Sequence, residues 1–304
     1  MPAIKPIREW SRNKYLYIML VPVVAYFIVF EYVPMYGAII AFKNFNPFQG
    51  IWGSSWAGLK HFEQFFESYY FFRLLRNTVL LSVYSLLFMF PAAIVFALLL
   101  NEVRNRWFKS WVQTLSYMPH FISLVVICGM ILDFLQPDGI INRMLVALHI
   151  VKEPINFMIL PEWFRTIYIG SGLWQSVGWN SIIYLAALSA INPTLYEAAV
   201  VDGANRWKQL WHVTLPGIMP TVIILLILNV GHLMSVGFDK IILLYNPATY
   251  ETADVISTFV YRRGVLEANY SFSAAVGLFN SVINFALLVT ANRISRKMTE
   301  SSLW

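Results

Sequence analysis

The chain has 304 residues, of which 58% are hydrophobic and only 12% charged, with a formal net charge of +6. A soluble domain of this length needs far more charged surface, so the composition excludes that class and points to an all-α integral membrane protein. The basic residues flank apolar runs, which reads as membrane orientation and lipid contact and excludes nucleic-acid binding.

Apolar runs of about 20 residues match the roughly 30 Å of bilayer hydrocarbon and predict six spans. The first covers residues 15–42 and is interrupted by Glu31 and Pro34, so its outer third is expected to bend or to run along the interface. It follows a basic N-terminus but is too long for a signal peptide and lacks a small-residue cleavage site, which makes it an uncleaved anchor. The second covers 78–100, with Pro91 inside, and the third 111–134, with Pro119 and His120 near its start. The fourth, fifth and sixth cover 166–191, 217–238 and 272–292. The lone Cys128 lies in the third and excludes an intramolecular disulfide or a cysteine metal site.

Basic residues orient the spans. With the N-terminus inside, the short inner segments carry Lys5, Arg8, Arg12 and Lys14, then Arg104, Arg106 and Lys109, then Arg206 and Lys208, then Arg293, Arg296 and Lys297. The outer loops at 43–77, 135–165 and 239–271 carry nearly as many, but over about 30 residues each, so basic density puts both termini inside. Those loops are large enough to receive a docked protein and too small to form domains of their own. Trp10, Trp107 and Trp304 lie near span ends and read as interfacial anchors.

One polar insert, residues 192–216, separates the fourth and fifth spans. Asn192-Pro193 is a helix start, with Asn able to cap and Pro suited to the first helical position. Gly203 is expected to end this short helix. A second helix places Trp207, Leu210, Trp211 and Thr214 on one face at i, i+3, i+4 and i+7. Pro216 and Pro220 then open the fifth span. The expected result is a helix–turn–helix on the inner membrane surface, its tryptophan face held against the bundle.

Glu197-Ala198-Ala199, Asp202-Gly203-Ala204 and the closing Leu215-Pro216 resemble the EAA loop of ABC-importer permeases, with Leu210 and Val213 departing slightly from its pattern. The resemblance implies the type I, MetI-like importer fold: six transmembrane helices and a coupling helix that docks on a cytoplasmic ATPase. It implies that Glu197, Ala198, Ala199, Asp202 and Gly203 make or shape that contact. No G-x-x-x-x-G-K-[ST] occurs, so ATP and magnesium are expected on partner ATPase subunits, with no cofactor and no catalytic residue in this chain. Residues 1–70 are expected to form an N-terminal tail, first span and outer loop, and 71–304 a five-helix permease core.

Blocks at 33–66 ("VPMYGAIIAFKNFNPFQGIWGSSWAGLKHFEQFF"), 73–88, 98–109 and 116–123 ("SYMPHFIS") are similar to the LplB/YteP type of complex-oligosaccharide permease, related to the maltose-importer permeases. That similarity implies a bacterial inner-membrane protein working as a heterodimer with a second permease. It further implies two ATPase subunits, an external solute-binding protein and an oligosaccharide substrate.

Neutral sugars need hydrogen-bonding side chains and aromatic faces, and the spans offer both. The fourth holds Trp174, Gln175, Ser176, Trp179, Asn180 and Tyr184. In the fifth, Asn229, His232 and Ser235 recur every three residues, near one helix face. His120 follows a Pro. Polar groups in hydrocarbon favour a bundle interior or a cavity. Likeness to the maltose permease implies sugar contact at His120, Gln175, Ser176, Asn229, His232 and Ser235, and Trp179 joins them as a stacking face. The competing role for these groups is glue between helices, which is the expectation for Asn280 and Asn284.

An ABC permease for another solute shares the loop, but the spans hold almost no basic groups for an anion; His120 and His232 leave acidic sugars open. An ion-coupled carrier would place Asp or Glu within its spans, whereas Glu31 and Asp133 fall near span ends. No H-E-x-x-H or G-x-S-x-G suggests an intramembrane enzyme.

Overall fold

The computed structural model describes residues 13–299; Lys5, Arg8, Arg12, Trp10 and Trp304 lie outside them. The chain divides into two compact units. One comprises residues 13–67 with Arg263–Leu278, and the other Ser68–Arg262 with residues 279–299.

In the first unit, α1 (Lys14–Phe42) is apolar on every side, and none of its most hydrophobic stretch is buried by protein. Such a helix finds its apolar partner in lipid. Its C-terminal half is irregular: a wide turn at Ile28–Tyr32 contains Glu31, and the backbone tightens over Tyr36–Phe42. A two-stranded ribbon follows, β1 (Lys43–Asn44) antiparallel to β2 (Ser55–Trp56), then α2 (Lys60–Phe66). The Phe45 N–H donates to Ser271 Oγ at 2.8 Å, and Phe65 meets the ring of Phe272 edge-on.

In the second unit, α3 (Phe71–Glu102) runs for 32 residues, about 48 Å at 1.5 Å per residue. It packs along α7 (Pro161–Ser189). Ala93 and Ala97 of α3 share a buried cluster with Tyr184 and Leu188 of α7 and with Ile218. Small side chains at that seam let the helix backbones approach closely, which is how packing gains energy without a hydrophobic drive between helices.

The third predicted span is not one helix. The chain forms α4 (Arg106–Tyr117), a tight turn at Met118–Phe121, and α5 (Leu124–Leu135). Pro119 sits in the turn, where its missing N–H costs nothing and its ring disfavours a continuous helix. Asn105 starts α4 by accepting from the N–H groups of Trp107 and Phe108. The membrane-length apolar run is instead Leu124–Ala147, which includes α5 and, after a turn, α6 (Ile140–Ala147).

The second half of the polar insert also differs from expectation. After α8 (Pro193–Val201), α9 runs from Arg206 to Gly231, through Pro216 and Pro220, with a wide turn at Leu210–Thr214. The expected surface helix and the fifth span are therefore one element. A wide turn absorbs the register change that prolines near the start of a span require. Trp207 and Trp211 are exposed, and Thr214 is the buried member of that face. The indoles therefore do not pack on this chain's own bundle.

The same span ends at Gly231, short of residue 238. The chain continues without helix to α10 (Phe238–Leu244), then α11 (Ile256–Tyr261), and closes with α12 (Tyr270–Thr299). Among the described residues, five helical runs are long and apolar enough to cross a membrane: Lys14–Phe42, Phe71–Glu102, Leu124–Ala147, Arg206–Gly231 and Tyr270–Lys297. Helix α7 has the length, but Glu162, Arg165, Gln175, Asn180 and its serines dilute its apolar character.

Candidate substrate cavity and coupling loop

A cavity of about 380 Å³ lies among α3, α7 and the C-terminal end of α9. Its polar lining is Ser82 and Ser85 from α3, Tyr168, Asn180 and Tyr184 from α7, and Asn229, His232 and Ser235 from α9 and the chain just beyond. Leu86, Met89, Phe90, Ile183 and Leu225 are among its apolar lining. Hydroxyls, amides and an imidazole beside aromatic rings match the needs of a polyhydroxylated ligand.

The end of α9 is shaped by interactions that replace the helical ladder. Gly231 packs so closely on Leu288 of α12 that a Cβ there would overlap its side chain. Beyond it, the Leu233 carbonyl accepts from Ser82 Oγ. Asn284 Oδ1 accepts from the Met234 N–H at 2.8 Å, while its Nδ2 donates to Ser235 Oγ at 2.8 Å. Gly237 passes the Tyr168 hydroxyl where a Cβ would lie 2.9 Å from it. Unwound backbone at this depth requires such partners. Asn284 thus joins α12 to the segment, the inter-element role expected of it. Asn284→Ala should lower thermal stability by about 1 kcal/mol in a detergent melt, because the Met234 N–H loses its acceptor.

The sequence-predicted path residues fall into separate places. Asn229, His232 and Ser235 all line the cavity, but not as one helix face. Asn229 lies on α9, with its Nδ2 donating to the Leu225 carbonyl at 2.8 Å; His232 ends the helix, and Ser235 lies in the non-helical segment. His120 and Trp179 stack on each other with ring centroids 4.4 Å apart and planes 5° from parallel, away from the cavity lining. Ser176 Oγ donates to the Gly172 carbonyl within its own helix. Gln175 is one turn from Trp179 and likewise does not line the cavity. Ser82 and Ser85 of α3 and Tyr168 of α7 are the polar lining residues that sequence reasoning passed over. Among the described residues, no three His, Cys, Asp or Glu side chains converge as metal ligands.

The loop at 192–206 is built from paired caps. Asn192 Oδ1 accepts from the Thr194 N–H at 3.0 Å, and Pro193 takes the first helical position. At the far end, the Ala204 N–H donates to the Ala199 carbonyl at 2.8 Å and the Gly203 N–H to the Val200 carbonyl at 3.0 Å. This six-to-one and five-to-two pairing ends a helix through a left-handed residue, and Gly203 has φ +73°. Open space surrounds the position of a Cβ at Gly203, so backbone conformation, not crowding, requires glycine. Asn205 then caps α9 by accepting from the Lys208 N–H. The loop is tied down by Tyr196 Oη against Thr214 Oγ1 at 3.0 Å and by the Arg206–Glu102 pair at 2.8 Å. Glu197, Ala198, Asp202 and Gly203 are exposed and Ala199 half-buried. The result is a rigid knuckle carrying small residues and two carboxylates, with Trp207 and Trp211 exposed nearby.

The pattern of the binding-protein-dependent transport system inner membrane components matches residues 89–300. The chain belongs to that family. This permease is 45% identical over 294 residues to the polygalacturonan/rhamnogalacturonan transport system permease protein YteP of Bacillus subtilis (strain 168), covering 96% of this chain and 91% of that one. It is 42% identical to Protein LplB of the same organism, over 97% and 92% of the two chains. Its fold superimposes on a chain from the crystal structure of a bacterial ABC transporter involved in the import of the acidic polysaccharide alginate. There the TM-score is 0.89 at 45% identity, over 97% of this chain and 100% of that one. A second crystal structure, the alginate transporter in complex with an alginate pentasaccharide-bound periplasmic protein, matches with a TM-score of 0.91 at 44% identity, over 99% and 100%. The chain is thus a multi-pass inner-membrane component of the MetI-like importer class.

Proposed function

We propose that the chain is one permease half of an ATP-driven, binding-protein-dependent oligosaccharide importer, working by alternating access. The observation that carries this reading is the pairing, in a member of this family, of a hydroxyl-, amide- and ring-lined cavity with an exposed, rigidly capped loop. The relatives that act on polygalacturonan, rhamnogalacturonan and alginate support a substrate that is a fragment of an acidic polysaccharide.

Residues 71–304 form the permease core, to which 1–70 add a tail, a span and an outer loop. Helix α7 is the sixth span, its polar groups turned to protein and cavity rather than lipid. Both termini and the 192–216 loop face the cytoplasm, where basic density is highest. A second permease covers the face bearing His120, Gln175, Ser176 and Trp179, completing a path that Asn229, His232 and Ser235 line from this side. Glu197, Ala198, Ala199, Asp202 and Gly203 dock on an ATPase subunit, which binds ATP and magnesium, and a second ATPase serves the partner permease. An extracytoplasmic binding protein delivers the sugar. ATP-driven closure draws the two loops together and opens the cavity outward; hydrolysis resets it.

Substitution at the cavity tests this. In the complete importer, His232→Ala should raise the half-saturating sugar concentration about tenfold, the loss of one good polar contact. Basal ATP hydrolysis should be unchanged. Identical transport kinetics for His232→Ala and Asn229→Ala would remove the cavity from the sugar path.

A further inference from the structure

Behind the cavity wall lies a charge that the mechanism above leaves unused. Lys240 of α10 is only 7% exposed. Its Nζ donates to the Tyr168 carbonyl at 3.2 Å and lies 5.2 Å from the centre of the Tyr168 ring, and Tyr168 lines the cavity. On the other side it abuts Gly172: a Cβ there would stand 3.4 Å from Nζ and 3.2 Å from the terminal methyl of Met89, another lining residue. The ammonium is therefore one side-chain thickness from the cavity.

Around it the structure is apolar. Ile241, Leu244, Leu81, Cys128 and Phe164 form the buried cluster of this region. Among the described residues no carboxylate lies within ion-pair distance of Lys240. An ammonium offers three donors, and one carbonyl and a ring face are what it meets here. Burial lowers its pKa to about 8, with Cys128 opposing the shift, which leaves the charge mostly present at neutral pH. A buried cation without a counter-ion is costly, and an aliphatic side chain would fill the same volume at less cost. No Asp or Glu lines the cavity to cancel its field, and low-dielectric surroundings leave that field largely unscreened.

We infer that Lys240 is a specificity-determining residue. Its ammonium makes the cavity electropositive, so that an oligosaccharide bearing uronate carboxylates is held in preference to an uncharged one of the same length. This rests on the oligosaccharide reading above and adds the group that selects charge. The competing role is a strut that ties α10 to α7 through the Tyr168 carbonyl, and that role is indifferent to the charge of the sugar.

The test uses the complete importer with its binding protein in proteoliposomes, as wild type, Lys240→Met and Lys240→Arg. Uptake of a labelled oligogalacturonate is compared with uptake of its fully methyl-esterified counterpart. The binding protein's own preference is common to all three and cancels when their acid-to-ester ratios are compared. Lys240→Met should lower that ratio by about tenfold or more, through a higher half-saturating concentration for the acid, and Lys240→Arg should keep it within about threefold. If no variant takes up the ester, the half-saturating concentration for the acid is compared alone, with the same expected rise and rescue. If Lys240→Met does not assemble, Lys240→Gln takes its place. An unchanged ratio, or equal losses on both substrates, overturns the inference. A wild type that takes up the ester and not the acid overturns it too, while leaving the oligosaccharide reading intact. A wild type that takes up neither overturns both.

Discussion

Replacing Gly203 by Val should abolish sugar-stimulated ATP hydrolysis by the assembled importer while leaving the chain inserted and folded. The residue sits at φ +73° in the turn that ends α8. A β-branched side chain there costs on the order of 2 kcal/mol, enough to unseat the left-handed conformation. The two hydrogen bonds that close the helix, from Ala204 and Gly203 to Ala199 and Val200, would go with it. Nothing surrounds the Cβ position, so no core packing is lost and a detergent melt should fall by no more than about 4–8 °C. What moves is the direction of the face carrying Glu197, Ala198 and Asp202. Gly203→Asn is the control, because Asn tolerates the left-handed region, and it should retain most of the stimulation. ATPase assays on both variants check this; wild-type stimulation in Gly203→Val would separate the loop from coupling.

The largest loss of stability is expected at Asp254. Its carboxylate is fully buried and accepts from Arg262 at 2.7 Å and Thr258 at 2.9 Å, with Arg73 at 3.5 Å. Burial by itself would lower the Arg262 pKa, but the Asp254 hydrogen bond and charge outweigh it and hold the guanidinium firmly protonated. The same stretch of backbone is clasped by Asn77, whose Nδ2 donates to the Glu251 and Asp254 carbonyls and whose Oδ1 accepts from Arg165. Asp254→Ala would strand guanidiniums in a poorly hydrated site, at a cost of about 3 kcal/mol. For a domain of this size that is a fall of roughly 6–12 °C in a detergent melt. Glu102→Ala, which breaks an exposed pair with Arg206, should cost no more than about 1 kcal/mol. Equal effects for the two would contradict the clasp.

Where the sequence could be read, hydropathy and capping chemistry did the reading. The long apolar runs of α1, α3 and α12 and the Asn192-Pro193 start of α8 follow directly from residue type, as does the turn at Gly203. Proline was the ambiguous signal. Pro91 sits inside an unbroken α3, and Pro119 ends a helix. The difference lies in tertiary surroundings that a single sequence does not display. Hydropathy also carried the fifth span past its true end, because Leu233, Met234 and Val236 are as apolar as a helix requires. The helix stops where Gly231 meets Leu288, and the backbone just beyond it is satisfied by Ser82 and Asn284, 151 and 50 residues away along the chain.

The cavity was partly legible for a reason that does not hold. Asn229, His232 and Ser235 were grouped by helical spacing, yet a broken helix brings them to one place. Lys240 and Asp254 fall within 239–271, read from hydropathy as a loop between spans, and both are buried in the second unit. Charged residues near a span read as solvated, and only long-range contacts reveal otherwise.

The central claim is that ATP hydrolysis on another subunit drives an oligosaccharide through this chain and its partner. Uptake of a labelled acidic oligosaccharide by proteoliposomes holding the complete importer measures it directly. Accumulation should require ATP, the binding protein and an intact loop at Gly203, and should be indifferent to proton or sodium gradients. Accumulation driven by an ion gradient without ATP would contradict the claim.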